Sequence, residues 1–244
     1  MTEVMSKPSP TKLGWLGPSP ASSSHLRRVR SFIPADVEIV YEQLVLHDGR
    51  LADLEGKLDT IVTKAIELTE KHRWDGLIFP GAPREVLNPQ LFARFSSALQ
   101  IPVATALRSS VAALHALAVG NVLLLTPFDE SLNKLIRDFL AGFRIRAFSP
   151  RYTLGHYTDA LKLSSEDVAG LARQAIAERP DVDGVYFQGA VLDPIDVLDP
   201  IENEFKIPVI ASNPAMFWFM LSRLGRRDQI TGFGKLLSTW PEIQ

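Results

Sequence analysis

Asp75-Gly76-Leu77-Ile78-Phe79-Pro80-Gly81-Ala82 returns 108 residues later as Asp183-Gly184-Val185-Tyr186-Phe187-Gln188-Gly189-Ala190. Each copy is followed by a helical stretch and a short apolar strand, Ile101-Pro102-Val103-Ala104-Thr105-Ala106 in one and Ile207-Pro208-Val209-Ile210-Ala211-Ser212 in the other. Upstream, Leu13-Gly14-Trp15-Leu16-Gly17 running into Pro18 is mirrored by Val122-Leu123-Leu124-Leu125-Thr126 running into Pro127. A solenoid repeats every ~20–50 residues, so a period this long reports two similar domains instead. A chain of 244 residues has room for both, since single domains run to about 100–150 residues. Matching halves set equivalent loops face to face, and a ligand is expected in the cleft between them.

Composition removes several classes of function. The net charge is −2 and no Lys/Arg run appears, so there is no electrostatic footprint for nucleic acid. Arg226-Arg227 and the group Arg27, Arg28 and Arg30 are short and read as solvated surface. A membrane span needs ~18 uninterrupted apolar residues, and the richest stretch, from Val111 to Phe128, is broken by His115, Gly120 and Asn121. No membrane association is expected. The polar opening from Met1 to Thr11 lacks the apolar region of a secretory signal and reads as a frayed leader. The absence of cysteine rules out disulfides and thiolate metal sites. The default expectation is a cytoplasmic protein; a homo-oligomer is left open.

Short apolar runs ending in Gly, Pro or Ser alternate with amphipathic stretches, the signature of βαβ units and a parallel sheet. In the first half, strands are expected at Lys12–Leu16, Glu38–Leu44, Gly76–Phe79 and Val103–Thr105. A helix follows the first strand, running to about Phe32. Leu51 to His72 reads as one long helix, because Leu51, Leu54, Leu58, Ile61, Val62, Ala65, Ile66 and Leu68 recur at three- and four-residue steps. Pro89–Leu99 reads as another, and Ser109–Leu117 links the halves. The second half repeats the order: strands Val122–Thr126, Arg144–Phe148, Val185–Phe187 and Val209–Ala211, with helices Glu130–Gly142, Ser164 or Ser165 to Ala177, Pro194–Glu204 and Pro214–Leu224. Ser164 or Ser165 caps the first free amides of its helix. The tail Gly232-Phe233-Gly234-Lys235-Leu236 is expected to pack back on the first domain.

The expected fold is therefore α/β, with two pseudo-symmetric flavodoxin-like parallel-sheet domains and the active cleft between them. Residues 1–108 with 216–244 form the first domain and 109–215 the second. In open parallel sheets, ligands sit beyond the carboxyl ends of the strands. That rule picks out Pro18–Ser23, Gly81–Glu85, Pro127–Asp129, Gly189–Asp193 and Ser212–Pro214.

These loops resemble the aspartate/glutamate racemase superfamily, and within it the branch of arylmalonate decarboxylase and maleate cis-trans isomerase. The resemblance is carried by Leu13-Gly14-Trp15-Leu16-Gly17-Pro18-Ser19, by the strand, loop and helix from Asp183 to Asp196, by Ile207-Pro208-Val209-Ile210-Ala211-Ser212-Asn213-Pro214-Ala215, by Phe217-Trp218 and by the ending Gly232-Phe233-Gly234-Lys235-Leu236. It runs from about residue 12 to the C-terminus. It implies a cofactor-free enzyme that makes or quenches charge at the carbon next to a carboxylate. It also implies that backbone amides and hydroxyls hold that carboxylate, and that a cysteine in one or both loops handles the proton or adds to a double bond. Here Gly81 (or Ala82) and Gly189 stand at the two cysteine positions. Ala82 and Pro83 stand where the decarboxylase pocket has threonine and serine, and Phe128 where it has tyrosine. Pro83 also removes an amide donor from the first loop.

A cradle for an anion survives around Gly189 and Ala190, at a strand-to-helix turn with free amides. Ser19, Asn133, Ser212 and Asn213 match polar family positions; they orient a ligand or merely cap helices. For proton transfer the candidates are Asp193, His156 and Glu85. Asp193 is equally explained as a helix-terminal charge, and Glu85 as a surface partner of Arg84. Arg84 itself suits a substrate carboxylate. His156 and Tyr157 lie in the loop after the second strand of the second domain, which borders the pocket in relatives; a surface-loop histidine is the plainer reading. His25, His47, His72 and His115 show no metal-ligand spacing and read as surface or helix residues. Trp15, Pro20, Pro83, Phe128, Val191 and Phe217 make the presumed cleft apolar, suited to an aryl- or alkyl-bearing acid.

The favoured expectation is a decarboxylase-like lyase acting on a small carboxylate through an enolate-type intermediate, because carbon dioxide leaves without a base and only one proton must be returned. The alternatives are a hydratase or hydrolase with water in the vacated cysteine site, a maleate-isomerase-like isomerase, and a non-catalytic protein that binds a small acid.

Overall fold

The computed structural model describes residues 10–150 and 154–244. Residues 1–9 of the leader expected from Met1 to Thr11, and residues 151–153 of the loop after Phe148, lie outside the described residues, while Thr11 already begins the first strand. Two four-stranded parallel sheets form the framework. The first contains β1 (Thr11–Gly17), β2 (Val37–Gln43), β3 (Gly76–Phe79) and β4 (Val103–Thr105), in the order β2-β1-β3-β4. The second contains β5 (Asn121–Leu125), β6 (Arg146–Phe148), β7 (Gly184–Phe187) and β8 (Val209–Ala211), in the order β6-β5-β7-β8. The permutation is identical, so the sequence repeat is a repeat of topology.

The helices are α1 (Ser24–Val29), α2 (Leu58–His72), α3 (Ala82–Val86), α4 (Leu91–Ala98), α5 (Ala106–Ala116), α6 (Glu130–Ala141), α7 (Ser165–Glu178), α8 (Leu198–Phe205), α9 (Ser212–Arg223) and α10 (Lys235–Thr239). Helices α2 and α4 cover the outer face of the first sheet over a core that includes Leu16, Ile61, Leu77, Phe79 and Phe95. The other, larger core is continuous across both halves: α5 and α9 pack on each other, and α9, although it follows β8, also lies against β3 and β4. The halves are thus fused through two helices rather than tethered by a linker.

Equivalent glycines mark where backbone must pass close to side chains. A Cβ on Gly76 would lie 2.3 Å from Met220 Sδ, and one on Gly184 would lie 2.7 Å from Val119 Cγ1. Neither site tolerates a side chain without movement.

Several elements differ from expectation. The long helix from Leu51 to His72 is broken: a 3-10 turn at Leu51–Leu54 is separated from α2 by Gly56, whose φ of +71° takes the backbone out of the right-handed helix. The hydrophobic period runs through the break in sequence, but the two pieces bury their apolar residues in different places: Leu51 and Leu54 border a cavity, whereas Ile61, Val62, Ala65 and Leu68 enter the core beneath α2. The loop after Gly81 is helical as α3, and Pro194–Val197 is a 3-10 turn ahead of α8. Ser164, not Ser165, caps α7, in a reciprocal capping box with Asp167. The C-terminal tail spans both halves. Phe233 packs edge-on to Phe32 of the first, while Gly234 N donates to Asp199 and Lys235 N to Glu202 on α8. Arg226 is no solvated cation either: it makes two hydrogen bonds to Asp36, at 2.9 and 3.0 Å, and pairs with Asp228.

Candidate active site

Loops from the carboxyl ends of both sheets enclose a cavity of about 560 Å³, a size that suits a small organic ligand. From the first half come Ser19 after β1, Val45, His47 and Gly49 after β2, and Gly81, Pro83 and Arg84 after β3. From the second come Phe128 after β5, Tyr157, Thr158 and Leu161 after β6, Gln188, Gly189, Ala190 and Val191 after β7, and Ser212 and Asn213 at the start of α9. The two glycine turns therefore face one space. Both are left-handed in φ with nearly the same geometry, φ 104°, ψ 93° at Gly81 and φ 115°, ψ 102° at Gly189.

The side-chain direction at each turn is already filled. A Cβ on Gly81 would meet the Arg84 Cδ at 3.3 Å, and one on Gly189 the Pro127 Cδ at 2.6 Å and Phe128 Cζ at 3.5 Å. At Gly189 the position a thiol-bearing Cβ would take is thus occupied by Pro127 and Phe128, although Gly189 itself borders the cavity.

Arg84 is the dominant charge of the site. It is 2% exposed, with its guanidinium donating to the backbone carbonyls of Leu16 and Leu44 and lying 4.9 Å from the centre of the Phe79 ring. Asn88 holds the α3 backbone in place by donating to the Arg84 carbonyl at 2.9 Å and to Leu54 O. No carboxylate among the described residues lies within ion-pairing reach of Arg84. Burial lowers its pKa to about 10, so it stays cationic at neutral pH. A buried cation balanced only by carbonyl dipoles and a ring face is costly unless an anion completes it.

Other polar side chains reach the cavity around it: Ser19, Ser23, Ser24 and Gln43 from the first half, and Thr158, Gln188, Ser212 and Asn213 from the second. Asn213 is 6% exposed and its Oδ1 is buried with no hydrogen-bond partner among the described residues. It lies with Ser212 in the first turn of α9, where backbone amides have no intrahelical acceptor. Gln188 has its Oε1 engaged by the Tyr186 hydroxyl, which leaves its NH₂ as the donor. Much of the rest is apolar. Val45 and Leu161, exposed by 64% and 52%, flank the mouth, and Trp15, Leu26 and Val191 line the interior. The mouth is drawn together from both halves, because the His156 Nε2 lies 3.2 Å from Gly49 O.

Five of the expected site residues lie elsewhere. Glu85 turns into the core: it is 4% exposed and accepts from Thr105 Oγ1 and Leu107 N, both at 3.0 Å, with Arg108 Nε 3.9 Å away. Burial pushes its pKa up to about 7, despite the two hydrogen bonds. Neighbours on a short helix point about 100° apart, so Arg84 and Glu85 cannot both reach the cleft, and neither is the surface pair first expected. Asp193, in a left-handed conformation at φ 45°, turns to Arg28 Nε at 2.7 Å, while Asp196 binds the same guanidinium. This straps α1 to the second half, while the Arg28 side chain stays partly exposed, as a surface arginine was expected to be. Burial still raises the Asp193 carboxyl above its ordinary range. His156 caps the 3-10 turn Tyr157–Lys162 and is exposed. Asn133 shapes the loop after β5, with Nδ2 donating to Phe128 O at 3.1 Å and Oδ1 accepting from Thr126. Ala82 is fully buried in the core.

His47 is the residue that the sequence reading passed over. It lies in the loop after β2 and lines the cavity, although it read as a surface residue. A signal was available: the offset of 109 that relates Leu13 to Val122 also relates His47 to His156. Among the described residues, no three His, Asp or Glu side chains are grouped as a metal ion would require, and no helix is long and apolar enough to cross a membrane.

A family model described as arylmalonate decarboxylase matches residues 83–237. A curated arylmalonate decarboxylase from Bordetella bronchiseptica is 25% identical over 208 residues, covering 84% of this chain and 81% of that protein. Two solved structures share the fold. One is a double mutant of arylmalonate decarboxylase, glycine to cysteine and cysteine to serine, in the liganded form. It has 19% identity and a TM-score of 0.76 over 92% of this chain and 97% of that one. The other is a cysteine-to-serine mutant of Nocardia farcinica maleate cis-trans isomerase with a covalently bound succinylcysteine intermediate. It has 17% identity and a TM-score of 0.75 over 93% and 98%.

Proposed function

The chain belongs to the arylmalonate decarboxylase family, and from that premise we propose that it decarboxylates a small malonate-type acid bearing an apolar, aryl or alkyl group, by way of an enediolate. Membership makes it a lyase or isomerase; the choice of decarboxylation and of substrate is our reading of the cavity. The observation that carries it is Arg84, a buried guanidinium without a carboxylate partner, set in the wall of a cavity that is otherwise largely apolar.

One substrate carboxylate pairs with Arg84 and with amides of the Gly189–Ala190 turn or the α9 start. These donors also meet the negative charge that spreads onto this carboxylate when the neighbouring carbon–carbon bond breaks, and they need no reorganisation. The departing carboxylate lies towards Phe128 and Val191, where it loses hydration and leaves as neutral carbon dioxide. The apolar substituent fills the mouth between Val45 and Leu161.

Isomerisation through a thiol adduct is closed to this chain, which has no cysteine, whereas the Nocardia isomerase structure contains a succinylcysteine. Hydration or hydrolysis by water in the cavity beside Gly189 would show as solvent oxygen in the product, which decarboxylation does not incorporate. A non-catalytic acid-binding role shares the same anion site and is separated from catalysis only by turnover.

The test uses purified protein with phenylmalonate, butylmalonate and maleate in deuterium oxide. Release of carbon dioxide from a substituted malonate, with one deuterium at the α-carbon of the product, is the expected result. Binding of these acids without turnover would make the protein a binder. Conversion of maleate to fumarate without carbon dioxide release would overturn the proposed reaction.

A further inference from the structure

Returning the proton to the α-carbon needs an acid inside the cavity, and the residues first considered for it, Asp193, His156 and Glu85, do not line it. The titratable side chains that do, among the described residues, are His47, Arg84 and Tyr157. Arg84 holds its proton at neutral pH. Burial keeps the Tyr157 phenol above its ordinary pKa, which makes it a weak donor to carbon. His47 is left.

The other histidines whose side chains are described are held by the scaffold. His72 Nε2 lies 2.6 Å from Glu42, and His115 Nε2 lies 3.0 Å from Phe143 O. His156 has Nδ1 on Thr158 and Nε2 on Gly49 O. His47 has neither nitrogen engaged by a described residue, and its Nδ1 is buried without a partner. A buried ring nitrogen left unsatisfied in a cavity wall is a position built for something other than folding.

We propose that His47 is the acid that protonates the α-carbon, and that the substrate's own carboxylate, seated on Arg84, draws the required proton onto the ring. The inference rests on the reading of Arg84 as the carboxylate's counter-ion. The groups that face His47 are Arg84 and His156, which oppose its charging, and Asp53 and Asp48, which favour it. Burial is the largest influence and, with Arg84, holds the ring below its ordinary pKa, so with Arg84 unpaired it is neutral at pH 7. A carboxylate on Arg84 cancels the opposing positive charge and adds a negative one nearby, which reverses the local field. Charging of His47 is thereby coupled to occupancy.

The step balances. The carbon–carbon bond to the departing carboxylate breaks, and its electron pair stays on the α-carbon and the remaining carboxylate as carbon dioxide leaves. The imidazolium N–H bond then breaks as the C–H bond forms, and the neutral ring regains a proton from water after product release. One proton is consumed per turnover.

The test follows the ring signals of histidine-labelled protein through a pH titration, with His47 assigned by loss of its signal in His47→Gln. The probes are phenylacetate and the uncharged phenylacetamide. Phenylacetate should raise the His47 pKa by a unit or more, a tenfold gain in proton affinity; phenylacetamide should not, and Arg84→Gln should remove the response. With phenylmalonate, His47→Gln should lower kcat by a hundredfold or more while phenylacetate affinity stays within threefold, and His47→Ala should regain activity with added imidazole. If phenylacetate binds and the His47 titration does not move, or if His47→Gln turns over at the normal rate, the inference is overturned while the anion site stands. If no arylacetate binds at all, the Arg84 reading fails and this inference falls with it.

Discussion

The Gly81 and Gly189 turns are copies in backbone and opposites in content. Each ends the third strand of its sheet with a left-handed glycine, with φ and ψ agreeing within about 11° and 9°. At Gly81 the side-chain direction is filled by the stem of Arg84, whose charge reaches the cavity; at Gly189 it is filled by the rings of Pro127 and Phe128, of which Phe128 lines the cavity. The duplicated framework has thus been given a cationic side and a dry side. A decarboxylase uses that asymmetry, because one carboxylate must be held while the other must leave as a neutral gas. A two-base racemase would want matched groups at both turns.

The comparison can be broken at the glycines themselves. Gly189→Ala combines a positive φ with a contact of 2.6 Å to the rigid Pro127 ring, so it should lose about 4 kcal/mol in a denaturant melt. Gly81→Ala meets only the flexible Arg84 stem at 3.3 Å and should lose about half as much. Equal losses would mean that the turns are not differently filled.

The charge asymmetry is tested by Arg84→Gln, which should weaken phenylacetate binding by at least a hundredfold in calorimetry. Its effect on stability should be small, since the variant relieves a buried, unpaired cation. Unchanged affinity would remove the cationic side from the comparison.

Glu85 sharpens the contrast between adjacent residues. Its folded-state pKa, about 7, is raised from an ordinary value of 4.5. The stability tied to its proton is therefore complete below about pH 4.5 and is lost as pH rises to about 7, a decline on the order of 3 kcal/mol. Glu85→Gln should abolish that slope in melts taken from pH 4.5 to 8. Persistence of the slope would assign it to another group.

The smallest effect belongs to Asp193→Asn. Its pair with Arg28 is partly solvated, and the two partners shift unequally: Arg28 is held charged, but burial raises the Asp193 carboxyl. The pair should contribute no more than about 1 kcal/mol, and the rate on phenylmalonate should change less than threefold. A hundredfold loss would return Asp193 to the chemistry.

Much of this was legible without coordinates. The repeated Asp-Gly strand and its turn, the apolar runs after Ile101 and Ile207, and a serine cap at 164 or 165 are local patterns, and local patterns are set by backbone conformation and neighbouring burial. The expected ligand loops coincide with the cavity at Ser19, Gly81, Arg84, Phe128, Tyr157, Gly189, Ala190, Ser212 and Asn213. The break at Gly56 is invisible in the sequence because apolar periodicity continues through it. The role of His47 is hidden in the sequence because a loop histidine looks alike whether it meets water or a cavity. His156, at the equivalent position of the repeat, instead caps a 3-10 turn at the rim.

The amino-acid order by itself determined that there are two like halves, where their strands end, and that the cleft lacks a thiol. It did so because strand patterning, turn glycines and residue identity act over a few neighbouring positions. Which side chains enter the cleft was decided only by tertiary packing. Arg84 faces the cavity and Glu85 the core because α3 is pinned between Asn88, Leu16 and Leu44 on one side and Thr105 and Leu107 on the other. Those partners lie up to 68 residues away in the chain, beyond the reach of any local rule.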